Sequence, residues 1–295
     1  MANSIEAYLD RLRSALTGSD PALIQDALSD SEEHLRSALD SALGETPGLS
    51  EEGALRDIIE KYGDSAEVAG AYRDADACLT PFSTPVPASP APSFLMKFFG
   101  IMAEPRAWGA FLYTLLSFLF GMVYCGWAVV GGAVALPSLI FIIGVPITAL
   151  FFLSVRGIGL LEGRIVEALL GVRMPRKPFF VNRDLKWTGK LKSLYTEALT
   201  WKILLYMLLQ FPLGAIYFTL TWGVFVFAVS FITAPIFELV FHIPLDLMGT
   251  DIFTPLWLLP FVCAAGFFLL AAALHLARWA GKLHGRYAKA LLVRK

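Results

Sequence analysis

Residues 107–155 read AWGAFLYTLLSFLFGMVYCGWAVVGGAVALPSLIFIIGVPITALFFLSV and contain no Asp, Glu, Lys or Arg. This run of 49 residues is more than twice the roughly 20 that one helix needs to cross a bilayer. Two further charge-free runs follow, at 203–237 and 252–277. Because backbone groups in lipid must pair within their own segment, we expect four transmembrane helices. They are placed near 108–130, 134–155, 203–231 and 255–277, with Gly131-Gly132 and Pro137 marking the first turn.

The composition of the whole chain agrees with this interpretation. Its 295 residues are 56% hydrophobic and 17% charged, and the mean hydropathy is +0.62. Soluble domains are nearer half apolar and a quarter charged, so the composition argues against a soluble enzyme, a disordered protein and a nucleic-acid-binding domain. Cys78, Cys125 and Cys263 lie too far apart in the sequence for a disulfide framework or a metal-binding motif. The sequence predicts an all-α membrane protein with a soluble part.

Charge is distributed unevenly between the two parts. Residues 1–80 hold six Lys/Arg against 17 Asp/Glu, a net charge of −11, whereas residues 81–295 carry +10. The acidic N-terminus has no signal-peptide pattern. Basic residues cluster between spans two and three and in the C-terminal tail, and the two hairpin tips have none. The positive-inside rule therefore predicts a multi-pass protein of the bacterial cytoplasmic (inner) membrane with both termini in the cytoplasm.

The acidic head, residues 1–78, is predicted to form four short helices. Asp20-Pro21, Ser50 and Asp64 are typical N-terminal caps, and Gly63 is a typical stop. A proline-rich linker at 79–96 separates the head from a membrane domain at 97–295.

The head resembles the HAAS-type domain, related to the DUF1700 family of bacterial membrane proteins. The matching segments are Tyr8-Leu9-Asp10-Arg11-Leu12, Ser31-Glu32-Glu33-His34-Leu35 and Tyr62-Gly63-Asp64-Ser65-Ala66-Glu67-Val68-Ala69. The resemblance implies a cytoplasmic helical domain over most of residues 4–73.

The membrane domain contains an internal repeat. Residues 104–124 match residues 197–217 at an offset of 93 in nine of 21 positions, including Trp, Gly and two Tyr pairs. Residues 155–170 match 277–292 at an offset of 122 in eight of 16 positions. We expect two copies, about 104–172 and 197–292, each a two-span hairpin followed by a cytoplasmic amphipathic helix. Two spans per copy predict the same orientation for both, a parallel repeat.

The same domain resembles the "putative sensor" family, in which the domain often precedes a histidine kinase. The Glu-Pro-Arg-Ala-Trp entry at 104–108, the Gly-Val-Pro-Ile segment at 144–147, Glu162-Gly163-Arg164 and Leu199-Thr200-Trp201 carry this resemblance, which covers about 98–292. It implies a sensing role.

Candidate site residues are few. Glu238 and His242 are four apart, with Asp246 and Asp251 nearby, so they form a weak candidate for an outer sensing site. Glycines four apart, Gly159 with Gly163 and Gly281 with Gly285, are candidate packing positions between helices. The sequence contains no catalytic arrangement or phosphate-binding loop, and it predicts no enzyme activity, no cofactor and no bound metal.

Two functions therefore stay open. The first is a non-enzymatic membrane sensor or regulator that relays a membrane or extracytoplasmic signal to a cytoplasmic protein partner. The second is a transport or lipid-handling component, since repeated spans can frame a pathway. Transporters usually place ionisable residues inside their spans, and the near absence of such residues here favours the first. The expected partners are the lipid bilayer, a regulatory protein and another copy of the chain, but no nucleic acid.

Overall fold

The computed structural model describes residues 4–45, 50–79, 93–141, 144–175, 194–241, 245–247, 250–252 and 255–293. These residues divide into two compact units. One unit contains the N-terminal helices together with residues 173–175 and Val293, and the other contains most of the remaining chain. The linker predicted at 79–96 falls largely outside the described residues.

The N-terminal unit contains four helices, as predicted. They are α1 (Ile5–Ala15), α2 (Pro21–Glu45), α3 (Glu51–Tyr62) and α4 (Ser65–Leu79). The predicted caps are confirmed, because Asp20 Oδ1 accepts from the Ala22 amide at 2.9 Å and Ser50 Oγ accepts from the Gly53 amide at 3.2 Å. Gly63 ends α3 with φ of 108°, a left-handed conformation that favours glycine.

Apolar side chains from the helices of this unit form its core. Tyr8, Leu12, Leu16 and Leu35 are fully buried, and the Tyr8 hydroxyl donates to the Gly63 carbonyl at 3.1 Å. Burial raises the pKa of Tyr8 to about 12. Within the same unit Arg173 forms ion pairs with Asp26 and Asp76. A basic residue that follows the second predicted span thus contacts two acidic residues of the head.

The second unit is built from four long helices. After α5 (Phe94–Phe99) and a 3₁₀ turn (Gly100–Ala103) come α6 (Pro105–Ser138), α7 (Gly144–Leu170), α8 (Ala198–Phe241) and α9 (Leu259–Leu292). All four are long and apolar enough to cross a membrane, which confirms the number of predicted spans. Between α8 and α9, two short antiparallel strands, β1 (Leu245–Leu247) and β2 (Thr250–Ile252), form a hairpin that the sequence analysis did not predict.

Two local predictions in this unit are wrong. Gly131, Gly132 and Pro137 lie inside α6, not at a turn, because an apolar helix with tertiary partners tolerates such residues. The predicted amphipathic helices are not separate elements, since α7 and α9 each continue without a break through them.

The directions of the helices follow from their contacts. The Phe111 ring of α6 lies 4.7 Å from the Phe225 ring of α8 in a tilted arrangement, and the Phe118 ring stacks on Phe218 at 5.1 Å and on Phe211 at 6.2 Å. Residue numbers therefore rise along α6 while they fall along α8. The two helices are antiparallel.

The predicted parallel repeat is accordingly wrong, because α6 and α8 begin at opposite ends of the four-helix unit. The chain leaves α7 beside Gly109, near the start of α6, and Tyr195 donates to the Val145 carbonyl, near the start of α7. The prediction assumed that the segment between α7 and α8 stays at one end. Its 27 residues span up to about 90 Å when extended, against about 40 Å for α7, so length does not confine it.

Candidate functional site

Two glycines allow α6 and α8 to cross in direct backbone contact. A Cβ atom at Gly121 would lie 2.8 Å from the Gln210 carbonyl oxygen, and one at Gly214 would lie 2.6 Å from the Ser117 carbonyl oxygen. Gly214 follows Gly121 by 93 residues, and Gln210 follows Ser117 by the same number. The two contacts are therefore reciprocal in the numbering of the repeat.

A buried carboxylate, Glu162 of α7, lies next to this crossing. Its Oε1 accepts from the hydroxyls of Tyr113 at 2.7 Å and Tyr206 at 2.9 Å, and its Oε2 accepts from Tyr124 at 3.0 Å. Glu162 has no exposed surface, and Tyr113 and Tyr206 are each 1% exposed. The three phenols supply the hydrogen bonds that water would donate to an exposed carboxylate.

His284 of α9 completes the group. Its Nε2 lies 2.7 Å from the Tyr113 hydroxyl and 2.9 Å from the Tyr206 hydroxyl, and the ring has no exposed surface. The two hydroxyls thus bridge an acid and a base. We call Glu162, His284, Tyr113, Tyr206 and Tyr124 the central cluster. It takes at least one residue from each of the four long helices.

Not every polar atom around the central cluster has a partner. Gln210 donates to the Tyr113 hydroxyl at 3.5 Å, while its Oε1 is buried without a hydrogen bond. His284 Nδ1 is also buried and unpartnered within the described part of the chain. The amide oxygen can accept one more hydrogen bond, and the imidazole nitrogen can either accept one or, when protonated, donate one.

Reciprocal ion pairs link the hairpins away from the central cluster. Arg156 donates to Glu197 at 2.6 Å, and Arg278 donates to Glu104. Arg278 follows Arg156 by 122 residues, and Glu197 follows Glu104 by 93. Arg156 also donates to the Thr200 hydroxyl at 2.8 Å.

The predicted packing glycines lie at helix contacts. A Cβ at Gly159 would lie 2.9 Å from Ile203, and one at Gly281 would lie 3.2 Å from Ala110 and 2.9 Å from Leu170. Each of these two glycines therefore faces the first helix of the other hairpin.

The other two predicted packing glycines lie in the same helices. A Cβ at Gly285 would lie 2.6 Å from Val172, and Gly163 is buried. None of the four faces another glycine among the contacts described.

The weak outer site is not assembled by the described residues. Glu238 lies near the end of α8, and Asp246 and Asp251 are opposite each other in the strand hairpin. His242 falls outside the described residues. Within the described part of the chain, no group of three His, Cys, Asp or Glu side chains is placed to bind a metal ion.

The central cluster was not predicted, because Glu162 and His284 lie in segments that were expected to form separate cytoplasmic amphipathic helices. The two repeat offsets did contain a signal for this cluster. At the offset of 122 these two residues occupy the same position of the repeat, each followed by Gly and Arg. The identical tyrosine pairs, Tyr113 with Tyr206 and Tyr124 with Tyr217, were visible at the offset of 93.

Comparison with known proteins adds one finding. No curated protein and no solved structure matches the chain. A family described as "Putative sensor" matches residues 113–292, a range that starts at the first tyrosine of the central cluster and includes the other four members. Since this match covers more than half of the chain, the protein belongs to that sensor family.

Proposed function

We propose that the protein is a non-enzymatic membrane sensor that passes a signal from the membrane unit to its acidic head and from there to a cytoplasmic partner. The observation that carries this proposal is the central cluster. It joins α6 and α7 to α8 and α9 through fully buried polar groups. Such a group rigidifies a bundle while all of its bonds are made and destabilises the bundle when one is lost.

The repeat supports the proposal. We infer that residues 104–172 and 197–292 are two copies of one hairpin in inverted orientation. The reciprocal contacts, Gly121 with Gln210 and Gly214 with Ser117, and the two matching ion pairs support this interpretation. Two equivalent hairpins meet at one central cluster. A change in the bonding of this cluster therefore alters how the two hairpins pack against each other.

The head is the proposed output domain. We propose that it is a cytoplasmic HAAS-like module, and its charge of −11 favours a basic partner surface. Arg173 already shows how a basic group is held, between Asp26 and Asp76. Placement of the head in the cytoplasm stays a prediction from the charge pattern. The predicted cytoplasmic C-terminus does not fit two inverted hairpins, because α9 would then end on the side of the membrane opposite the head.

Hydrogen exchange of the head in the full-length protein, embedded in lipid nanodiscs, tests the relay. The variant H284Q removes the base of the central cluster. The matched control H275Q changes a histidine of the same helix that contacts the Phe98 carbonyl at 3.1 Å, outside the cluster. We expect H284Q to change exchange in α1–α4 and H275Q to leave it as in the wild type.

Unchanged exchange of the head in a monodisperse H284Q protein would contradict a relay from the central cluster. Solute uptake into proteoliposomes by the wild-type protein would instead support the transport alternative.

A further inference from the structure

We propose that Glu162 and His284 together bind a single proton, and that this proton is the signal to which the membrane unit responds. The inference rests on the proposed function and names the ligand of the same site. It follows from counting hydrogens in the central cluster.

Glu162 is the main hydrogen-bond acceptor of the central cluster. Its two carboxylate oxygens accept from three phenols, those of Tyr113, Tyr206 and Tyr124. A hydroxyl has one hydrogen to donate, and each of these phenols donates its hydrogen to the carboxylate. Glu162 is thus solvated as an anion.

These hydrogen bonds determine which ring nitrogen of His284 carries a hydrogen. Nε2 of His284 faces the oxygens of Tyr113 and Tyr206, which have already donated their hydrogens. Nε2 must therefore carry a hydrogen and donate it. In a neutral imidazole the other nitrogen, Nδ1, then has a bare lone pair, and this is the atom that lacks a partner.

With a neutral His284, the central cluster holds a net charge of −1 in a fully buried site. Glu162 and His284 have no ion pair with Lys or Arg in the described part of the chain. The groups that face them are Tyr113 and Tyr124 from α6, Tyr206 and Tyr217 from α8, and Tyr287 from α9. An uncompensated buried charge is costly, and one added proton removes it.

The added proton has a defined place. Nδ1 of His284 accepts it without breaking any bond of the central cluster, which converts the imidazole to an imidazolium beside the carboxylate. Gln210 Oε1 is a second buried acceptor without a partner, and Gln210 and His284 both contact the Tyr113 hydroxyl. A protonated Nδ1 becomes a hydrogen-bond donor, and a water molecule can link such a donor to a buried acceptor.

The distances favour a proton over a metal ion. Hydrogen-bonded polar atoms of the central cluster are 2.7–3.0 Å apart, which is hydrogen-bond spacing. Ligands about 2.0 Å from a tetrahedral zinc ion would lie about 3.3 Å from one another.

Proton binding should change how tightly the two hairpins associate. Glu162 belongs to the first hairpin (α6–α7) and His284 to the second (α8–α9). Proton binding neutralises the site that joins them and should tighten their association. Proton loss should loosen it.

Distance measurements in lipid nanodiscs test this inference on the full-length protein. Spin labels are attached at positions 123 of α6 and 283 of α9, which are 65% and 44% exposed, after the three native cysteines are replaced by serine. We expect the wild-type distance distribution to change between pH 8 and pH 5 with a single midpoint that belongs to the pair. H275Q should behave as the wild type, and H284Q should lose the transition.

E162Q provides a second, nearly isosteric readout. It removes the negative charge, so the labels should report the low-pH distribution at every pH. A wild-type distribution that ignores pH, a transition that persists in H284Q, or a stoichiometric metal ion that H284Q fails to retain would overturn the inference. If H284Q alters exchange in the head while the wild-type distance ignores pH, the sensor role stands and the proton is not its ligand.

Discussion

The first hairpin (α6–α7) and the second hairpin (α8–α9) use the same framework but carry different chemistry at its centre. Both have a glycine at the crossing, an arginine paired with a glutamate of the other hairpin, and a tryptophan whose indole donates to the carbonyl six residues earlier. At the central position the first hairpin has Glu162 and the second has His284. The two hairpins are therefore alike at the glycine, the ion pair and the tryptophan, and they carry an acid and a base at the central position.

This difference has a physical reason. Two carboxylates at the centre would place like charges in a buried site, so one of them would have to be protonated. Two neutral histidines would offer no acceptor for three phenol donors as good as the carboxylate of Glu162. One acid and one base satisfy both hydroxyls that lie between them. Reciprocity thus holds in the helix packing and in the two Arg–Glu ion pairs, and it is broken at the buried position that Glu162 and His284 share.

The largest expected effect concerns the tips of the hairpins. Ile140 at the first tip and Leu256 at the second are 83% and 71% exposed, and the antiparallel arrangement puts the two tips at opposite ends. In a cysteine-free background, single cysteines at these positions should differ completely in labelling by an impermeant thiol reagent applied to intact cells. Labelling of both after permeabilisation is the control, and equal labelling of both in intact cells would restore the parallel repeat.

A smaller effect is expected at the crossing. G121A and G214A each place a Cβ within 3 Å of opposing backbone, so each should lower the free energy of unfolding by about 1–3 kcal/mol. G126A and G223A are matched controls in the same two helices, where a Cβ meets nothing within 4 Å. They should change stability by less than about 0.5 kcal/mol. Unfolding in detergent measures all four, and equal losses in test and control variants would contradict the close crossing.

The smallest effect should separate the two reciprocal ion pairs. The Arg156 side chain is 13% exposed and also bonds Thr200, whereas the Arg278 side chain is 40% exposed. R156Q should therefore cost about 1.5–3 kcal/mol, and R278Q at most about 1 kcal/mol. The same unfolding assay compares them. A larger loss in R278Q would mean that burial does not decide the strength of these pairs.

Hydropathy and capping patterns predicted the helices well. Four apolar helices, and the caps at Asp20, Ser50 and Gly63, follow from local chemistry and agree with the structure. Helix ends inside apolar sequence were harder to place. Pro137 and Gly131 have no breaking effect where neighbouring helices support α6.

Long-range arrangement explains the remaining errors. Periodicity shows which residues share a helix face, but not that a second hairpin covers that face, so the burial of Glu162 was not predicted. The direction of the copies depends on where the chain goes between α7 and α8, which neither hydropathy nor spacing specifies. The repeat offsets contained the pairing of Glu162 with His284, and only contacts between hairpins show its chemistry.

The central claim is that Glu162 and His284 occupy equivalent positions of two inverted hairpins and act as one acid–base pair. The exchanged variant E162H/H284E tests it most directly, with Tyr217 near position 284 in the place that Tyr124 has near Glu162. Each single variant should lose about 3–5 kcal/mol of unfolding free energy. The double variant should regain about 3 kcal/mol of the combined loss, which is the coupling free energy between the two positions. A double variant as unstable as the sum of the two singles would contradict the claim.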